Sequence, residues 1–262
     1  MKIEVIGACY YLPPSAMHAK LREFAAILGK TSDAVSIHAV AMKRLPPSGN
    51  EAEQTAVQWH TSNGPFLDMS AYRRGLACAP RDRVCVLVND TLFTRHPWRR
   101  VAKSLADALP VIASAPVPAA AGEVHPSTDL LTTDRHNPSR KHLTTFCFAL
   151  NAAARTELDA ILETLPLDNS RADVKAWLER HASRYPALTA LIYVHLRAPA
   201  NPWSWKQRAA EMTESLLDSK AVTVAVEYLL TLSLLKHNGF VVPINASLTY
   251  RIASKWTRIR KH

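Results

Sequence analysis

Three polar residues that could hold a divalent metal ion follow a strongly apolar segment of the chain. Residues 84–88 are five apolar residues rich in valine, and Asn89, Asp90 and Thr91 come directly after them. Such a run is typical of a central parallel strand covered on both faces, and ligands of open α/β sheets bind at the carboxyl ends of the strands. A carboxylate there can hold Mg²⁺ or Mn²⁺, which would bridge the phosphates of a nucleotide. Asp90 is therefore the first candidate for a ligand-binding and metal-binding residue, with Asn89 beside it.

The same triplet also has a purely structural interpretation. Asn and Asp tolerate tight turns, and Asp or Thr commonly caps the helix that follows a strand. The triplet alone does not decide between a binding site and a helix cap.

The elements that must position Asp90 are predicted from the apolar pattern. Residues 3–10 read as a buried strand ending in Tyr10 and Tyr11, which would lie at the same sheet edge as Asp90 if the two strands are parallel. A helix with apolar residues three and four apart follows, and Gly29 ends it. Alternation of strands and helices predicts right-handed crossovers and a mostly parallel sheet. The further predicted strands are residues 34–42, 56–59 and 142–150, and the further predicted helices are residues 97–109, 152–165, 203–217 and 221–235.

The segment before the apolar strand resembles the corresponding region of GT-A glycosyltransferases. An Asn-containing loop (62–64), a helix carrying Arg73 and Arg74, and an acidic turn (81–83) precede the strand. The similarity is closer to the bacterial polysaccharide-synthesis branch typified by rhamnan synthesis protein F, whose strand ends in Asn-Asp-Ser or a similar triplet. Residues 141–151 look like the His-containing strand of that branch. The resemblance covers about residues 1–165.

This resemblance implies a fold and an activity. The expected fold is α/β, a GT-A-like, mostly parallel sheet flanked by helices, with a helical C-terminal part. Residues 1–170 would bind the nucleotide sugar and the acceptor, and residues 171–262 would be a helical region packed on the same domain. The implied activity is transfer of a hexose or deoxyhexose from a nucleotide-diphosphate donor to a carbohydrate or lipid-linked glycan, in capsule or O-antigen synthesis.

The resemblance also implies roles for the donor side. Tyr10 or Tyr11 would contact the base, although rim packing is an alternative for both. Arg73 or Arg74 would pair with the phosphates as a planar fork. Asp90 would hold a divalent cation, or the ribose or donor sugar if the site is metal-free. The residues expected at the donor and metal sites are Tyr10, Tyr11, Asn63, Arg73, Arg74, Asn89, Asp90 and His237, the last being also an ordinary helix C-cap.

The acceptor side requires a base. Residues 110–140 contain five prolines and few bulky apolar residues in their middle, so we predict a long loop that faces the acceptor. Asp129, Asp134 and His136 lie in it and His142 just after it. His142 matches the His of the resembled branch by position, and an imidazole titrates near neutrality. The predicted catalytic residues are His142, Asp129 and Asp134, with a structural role for His142 left open.

The net charge of the chain indicates which kinds of partner the protein would attract. The chain carries a net charge of +10, and its C-terminal residues concentrate the excess. A phosphate-bearing substrate, an anionic membrane surface and nucleic acid would each explain it. Four widely spaced cysteines and a first segment without a cleavable apolar leader suggest a cytoplasmic protein, with the basic C-terminus possible at the inner face of the plasma membrane.

Two further classes remain open. The charge would also suit a non-catalytic module that binds RNA or another anionic polymer, but the aromatic residues are not interleaved with Lys and Arg as in a stacking platform, so no nucleic acid is expected. A GT-A-like domain could also be an inactive scaffold, because fold does not imply function.

Overall fold

A computed structural model of the chain describes residues 1–42, 57–126, 141–166, 168–186, 188–197 and 213–244. In this part of the chain, seven strands form one sheet with the order β3-β2-β1-β4-β6-β5-β7. The strands are β1 (Lys2–Cys9), β2 (Ala34–Met42), β3 (Gln58–Ser62), β4 (Val84–Asn89), β5 (Ala119–Pro126), β6 (Lys141–Leu150) and β7 (Phe240–Pro243).

Six of these strands point the same way. Strands β3, β2, β1 and β4 are parallel neighbours. β6 is antiparallel to β4 and to β5, so β5 runs in the direction of β4, and β7 is parallel to β5. The prediction of a mostly parallel sheet is confirmed, with β6 as the exception. Because β6 runs backwards, its first half lies at the edge where β1 and β4 end.

Helices cover both faces of the sheet. One apolar cluster joins α1 (Pro14–Leu28) and α4 (Trp98–Ala113) to one face, and a second joins α2, α5, α6, α7 and α8 to the other. These are α2 (Leu67–Cys78), α5 (Ala152–Glu163), α6 (Arg171–Ala182), α7 (Leu188–Arg197) and α8 (Glu214–Lys236), and the short α3 (Asp90–Arg95) follows β4 directly. The molecule is thus a three-layer α/β fold with a largely helical C-terminal part, as predicted.

The close contact of α2 with the sheet depends on a glycine. A Cβ atom on Gly75 would lie 2.4 Å from Cγ2 of Ile6 on β1. The missing side chain allows the helix backbone to approach the strand, which places the N-terminal end of α2 beside the end of β4.

One element prediction is wrong. Residues 110–126 were expected in a long loop, but Pro110 lies inside α4 and residues 119–126 form β5. The small side chains of this strand make it hard to recognise from the sequence. They suit its position in the structure, because Ala119, Ala120 and Ala121 are fully buried between helices. Residues 127–140, with Asp129, Asp134 and His136, lie outside the described residues, as do the basic C-terminal residues and most of the helix predicted at 203–217.

Of the helices in the described ranges, none has the length and apolar character that a bilayer crossing needs.

Candidate functional site

A cavity opens at the carboxyl edge of β1 and β4. Its volume is about 200 Å³, and it opens to solvent. β6 and α8 close its other side. Its lining includes Ala8, Tyr10, Tyr11, Met42, Leu67, Asp68, Asn89, Asp90, Thr91, Arg95, Thr144, Thr145, Phe146, Lys220 and Glu227.

The Asp90 side chain connects the end of β4 to the loop that follows β1. Its Oδ2 accepts hydrogen bonds from the backbone N–H groups of Tyr10 (2.8 Å), Tyr11 and Leu12 (2.9 Å). The residue is 1% exposed, and burial raises the pKa of its carboxyl although the three N–H donors act in the opposite direction. Asp90 therefore shapes the loop after β1 as well as lining the cavity.

Asn89 combines the two interpretations offered for the triplet. Its Oδ1 accepts from the N–H of Thr91 (3.2 Å), which caps α3. Its Nδ2 donates to Oδ2 of Asp68 (2.6 Å), a second carboxylate in the cavity wall. The amide thus caps a helix with one atom and orients an acidic side chain with the other.

Asp68 is presented by a backbone conformation that is unusual for its neighbour. Leu67 begins α2 with φ of 50°, in the left-handed region, and also lines the cavity. A non-glycine residue held there costs about 1–3 kcal/mol, and such residues cluster at functional sites. The strained residue sets the direction in which α2 leaves the cavity edge and so fixes the position of Asp68.

The two tyrosines form a pair at the mouth. The ring centroids of Tyr10 and Tyr11 are 4.7 Å apart and the rings meet edge to face at 75°. Tyr11 is 57% exposed, and its pKa is raised by burial of part of the ring and then by the nearby Tyr10, Asp68 and Asp90. An aromatic surface with hydroxyl groups stands at the entrance, beside the carboxylates.

Glu227 supplies a buried acid from the opposite wall. It lies on α8, and its Oε1 accepts from the N–H (3.1 Å) and the hydroxyl (2.7 Å) of Thr145 on β6. Burial raises the pKa of its carboxyl, with Lys220 opposing that effect. A carboxyl group held in this way titrates closer to neutrality than a solvated one, which suits proton transfer.

Among the described residues, the cationic side chains in the lining are Arg95 and Lys220. Arg95 ends α3, and Lys220 lies on α8 two turns before Glu227, so the two cations reach the cavity from different helices. Arg73 and Arg74, predicted to bind phosphate, are instead exposed on α2 and are not part of this lining. Asn63 is likewise exposed, in the turn after β3, and does not line the cavity.

Two predicted histidines lie away from the cavity lining. His142 is 4% exposed on β6, with its ring 4.5 Å from that of Tyr228 on α8. His237 follows the last turn of α8, where its Nδ1 lies 2.9 Å from Oε1 of Glu157. Ten residues of helix separate it from Glu227, about 15 Å along the axis. The structure therefore does not bring His237 to Asp90.

The described residues offer no metal site built from protein side chains alone. Over the described ranges, no three His, Cys, Asp or Glu side chains are grouped so that they could hold one. Oδ2 of Asp90 is already engaged by three backbone donors. The chemistry proposed below is argued from the cationic side chains.

Lys220 and Glu227 were not identified from the sequence as site residues. Glu227 interrupts an otherwise apolar run, and Lys220 precedes it by seven residues, the spacing of one helix face. A charged residue in the middle of a buried apolar helix is rare unless it is paired or functional. That signal could have identified the α8 wall.

Comparisons with known proteins add little to this geometry. No protein-family model matches the chain, and no curated protein matches it. Among solved structures it is similar to 4-diphosphocytidyl-2C-methyl-D-erythritol synthase, with 14% identity over 98% of this chain and 97% of that one, at a TM-score of 0.37. Similarity at that level assigns neither a family nor an activity.

Proposed function

We propose that the protein is a glycosyltransferase that moves a sugar from a nucleotide-diphosphate donor to a carbohydrate hydroxyl. The observation that carries the proposal is the cavity at the carboxyl edge of β1 and β4, where an aromatic pair, two cations and three carboxylates meet. Surface polysaccharide as the acceptor class rests only on the resemblance of residues 1–165 to the bacterial polysaccharide-synthesis branch.

The donor would lie along the β1–β4 edge. Tyr10 and Tyr11 offer an aromatic surface for the base at the mouth. Arg95 and Lys220 would neutralise the diphosphate, which must leave with extra negative charge as the glycosidic bond breaks. Cations positioned before the reaction stabilise that charge without reorganising.

Glu227 is our candidate for the base that takes the proton of the acceptor hydroxyl. Its carboxyl lines the cavity and is oriented by Thr145, and its raised pKa makes it a stronger proton acceptor than a solvated carboxylate. Asp68 and Asp90 would hold hydroxyl groups of the sugar or ribose, because both present carboxylate oxygens at the same edge.

Binding is tested by thermal shift against UDP, GDP, CDP, dTDP and ADP, with and without Mg²⁺ or Mn²⁺. One of these nucleotides should raise the melting temperature, since a ligand at 100 times its Kd adds about 2.7 kcal/mol to the stability of the native state. R95Q and K220Q should lose most of that shift. R73Q is the matched control, because Arg73 is an exposed arginine outside the lining, and it should keep the shift.

Turnover is tested separately. The nucleotide sugar of the responding base should release its nucleotide diphosphate, and E227Q should lower that rate at least tenfold while the thermal shift stays, as expected for loss of a general base. Binding without turnover would indicate an inactive scaffold. Stabilisation by a polynucleotide and by none of the nucleotides would replace the transferase with a binding module.

A further inference from the structure

A second cluster of polar and titratable side chains spans β1, β2 and β3 and reaches the C-terminal end of α2. Oε2 of Glu4 on β1 lies 3.0 Å from Nε2 of His38 on β2, and Nδ1 of His38 lies 3.2 Å from Nε2 of His60 on β3. Nδ1 of His60 then lies 3.7 Å from Sγ of Cys78, the last residue of α2. The four side chains form one continuous chain of polar contacts.

When both imidazoles are neutral and Glu4 is ionised, the order of contacts determines which nitrogens carry hydrogen. Oε1 of Glu4 accepts from Arg83, and its Oε2 can only accept from His38. Nε2 of His38 is therefore the protonated nitrogen, and its Nδ1 accepts from Nε2–H of His60. The remaining nitrogen, Nδ1 of His60, carries a lone pair that faces the Cys78 thiol.

This arrangement has the parts of an activated nucleophile. A nucleophile in reach of a base, and a base oriented by a further group, define such sites. The pKa of His60 is lowered, first by burial and then by His38 and Arg74, so the ring is neutral at neutral pH and can accept a proton. Glu4 and His38 are 0% and 3% exposed, so water does not compete strongly for these contacts.

The other cysteines of the chain provide an internal contrast. Cys9, Cys85 and Cys147 are buried, whereas Cys78 is half-buried. Burial raises the pKa of the Cys85 thiol to about 11 and that of the Cys147 thiol still further. Reactivity follows thiolate character and access together, and Cys78 is the cysteine that has both a base and access.

We propose that Cys78 is a reactive thiol that undergoes thiol–disulfide exchange with small disulfides, with His60 as its base. The thiol gives its proton to Nδ1 of His60, and Sγ attacks one sulfur of the disulfide. A bond forms between Sγ and that sulfur while the original S–S bond breaks. The second sulfur leaves as a thiolate and takes the proton from His60. Cys78 is oxidised to a mixed disulfide, and half of the disulfide is reduced to a thiol.

The relay behind His60 explains how the ion pair would be stabilised. When His60 gains the proton of Cys78 on Nδ1, its Nε2 proton can pass to His38, which then carries the positive charge beside Glu4. The positive charge thereby moves away from the thiolate and lies beside the buried carboxylate of Glu4, which attracts it. Among the described residues, Arg83 and Arg74 are the other charged groups that face this cluster.

The test uses 4,4′-dithiodipyridine, a neutral disulfide that is not steered by the arginines and releases a coloured thione. The native protein should show one fast thiol per chain at pH 7, and peptide mapping should place the label on Cys78. That thiol should react at least about tenfold faster in the native protein than in the urea-unfolded chain, where the relay is lost, because general-base assistance contributes about 100-fold or more. This comparison needs no variant.

Variants then assign the base. H60Q should slow the reaction about 10- to 100-fold, with the melting temperature recorded to show that the variant is folded. H181Q is the matched control, because His181 is also half-buried and also has a pKa lowered by burial, but lies on α6. It should leave the rate unchanged. A native rate at or below that of the unfolded chain, a label on another cysteine, or an H60Q rate equal to wild type in the folded variant would overturn the proposal.

Discussion

Replacing Asp90 should separate its two roles, as support for the β1 loop and as a cavity residue. In D90A the backbone N–H groups of Tyr10, Tyr11 and Leu12 lose their shared acceptor. A hydrogen bond to a charged group contributes about 1.5–3 kcal/mol, and the three bonds share one oxygen and are not additive. We therefore expect D90A to lower the free energy of unfolding by about 3–6 kcal/mol.

D90N should cost much less. The amide retains one oxygen that can take the place of Oδ2, and it removes a buried carboxyl whose pKa burial has already raised. We expect a loss of about 2 kcal/mol or less, since neutral acceptors make weaker hydrogen bonds.

Urea unfolding followed by circular dichroism measures both variants, with the slope against denaturant checked for constancy. D107A is the matched control, because Asp107 is an exposed residue of α4, and it should change stability by no more than about 0.5 kcal/mol. Equal stabilities of D90A and D90N, or a D90A loss below about 1 kcal/mol, would refute the role of Asp90 as the anchor of the loop.

Three further predictions follow from buried polar groups and from one strained residue. E227Q should gain stability relative to wild type as the pH rises from 4.5, the ordinary pKa of a glutamate, through the raised pKa of Glu227, because only the wild type then ionises a buried carboxyl. Urea unfolding between pH 4.5 and 8 measures the difference in stability, and a constant difference would contradict this prediction. R155M should lower the free energy of unfolding by about 3–5 kcal/mol. The buried guanidinium of Arg155 donates to the carbonyls of Leu76 (2.6 Å) and Ala79 (3.0 Å) at the end of α2. A loss under about 1 kcal/mol in the same assay would show that those carbonyls do not depend on Arg155. L67G should relieve about 1 kcal/mol of backbone strain at φ 50°. Its loss of stability should therefore be smaller than that of L67A. An L67G variant less stable than L67A would show that the backbone of Leu67 is not strained.

The sequence predicted the parts of the fold whose pattern is local. The valine-rich run before Asn89 has no polar interruption, so both the central strand and the polar residues at its end could be predicted. β5 was missed because its alanines carry little apolar signal, and their burial comes from helices packed on both sides of the sheet. Pro110 was read as a breaker, but it lies in the last turn of a long amphipathic helix.

The sequence predicted the cavity residues that follow strands and missed those on the helices that pack against the same edge, again because only local patterns can be recognised in a sequence. Asp90 and the tyrosines follow strands, and parallel strands bring their ends to one edge. Arg95, Lys220 and Glu227 reach the cavity because α3 and α8 pack against that edge, which no local pattern reveals. The relay from Glu4 to Cys78 is likewise invisible in sequence, since its members come from three strands and a helix and meet only through sheet register.

We expect a nucleotide diphosphate to bind between the tyrosine pair and the two cations of the cavity. A crystal structure with the nucleotide that gives the largest thermal shift tests it directly. The diphosphate should lie within hydrogen-bond distance of Arg95 and Lys220, with the base against Tyr10 or Tyr11. A nucleotide bound instead on α2 at Arg73 and Arg74, with the cavity empty, would contradict the account.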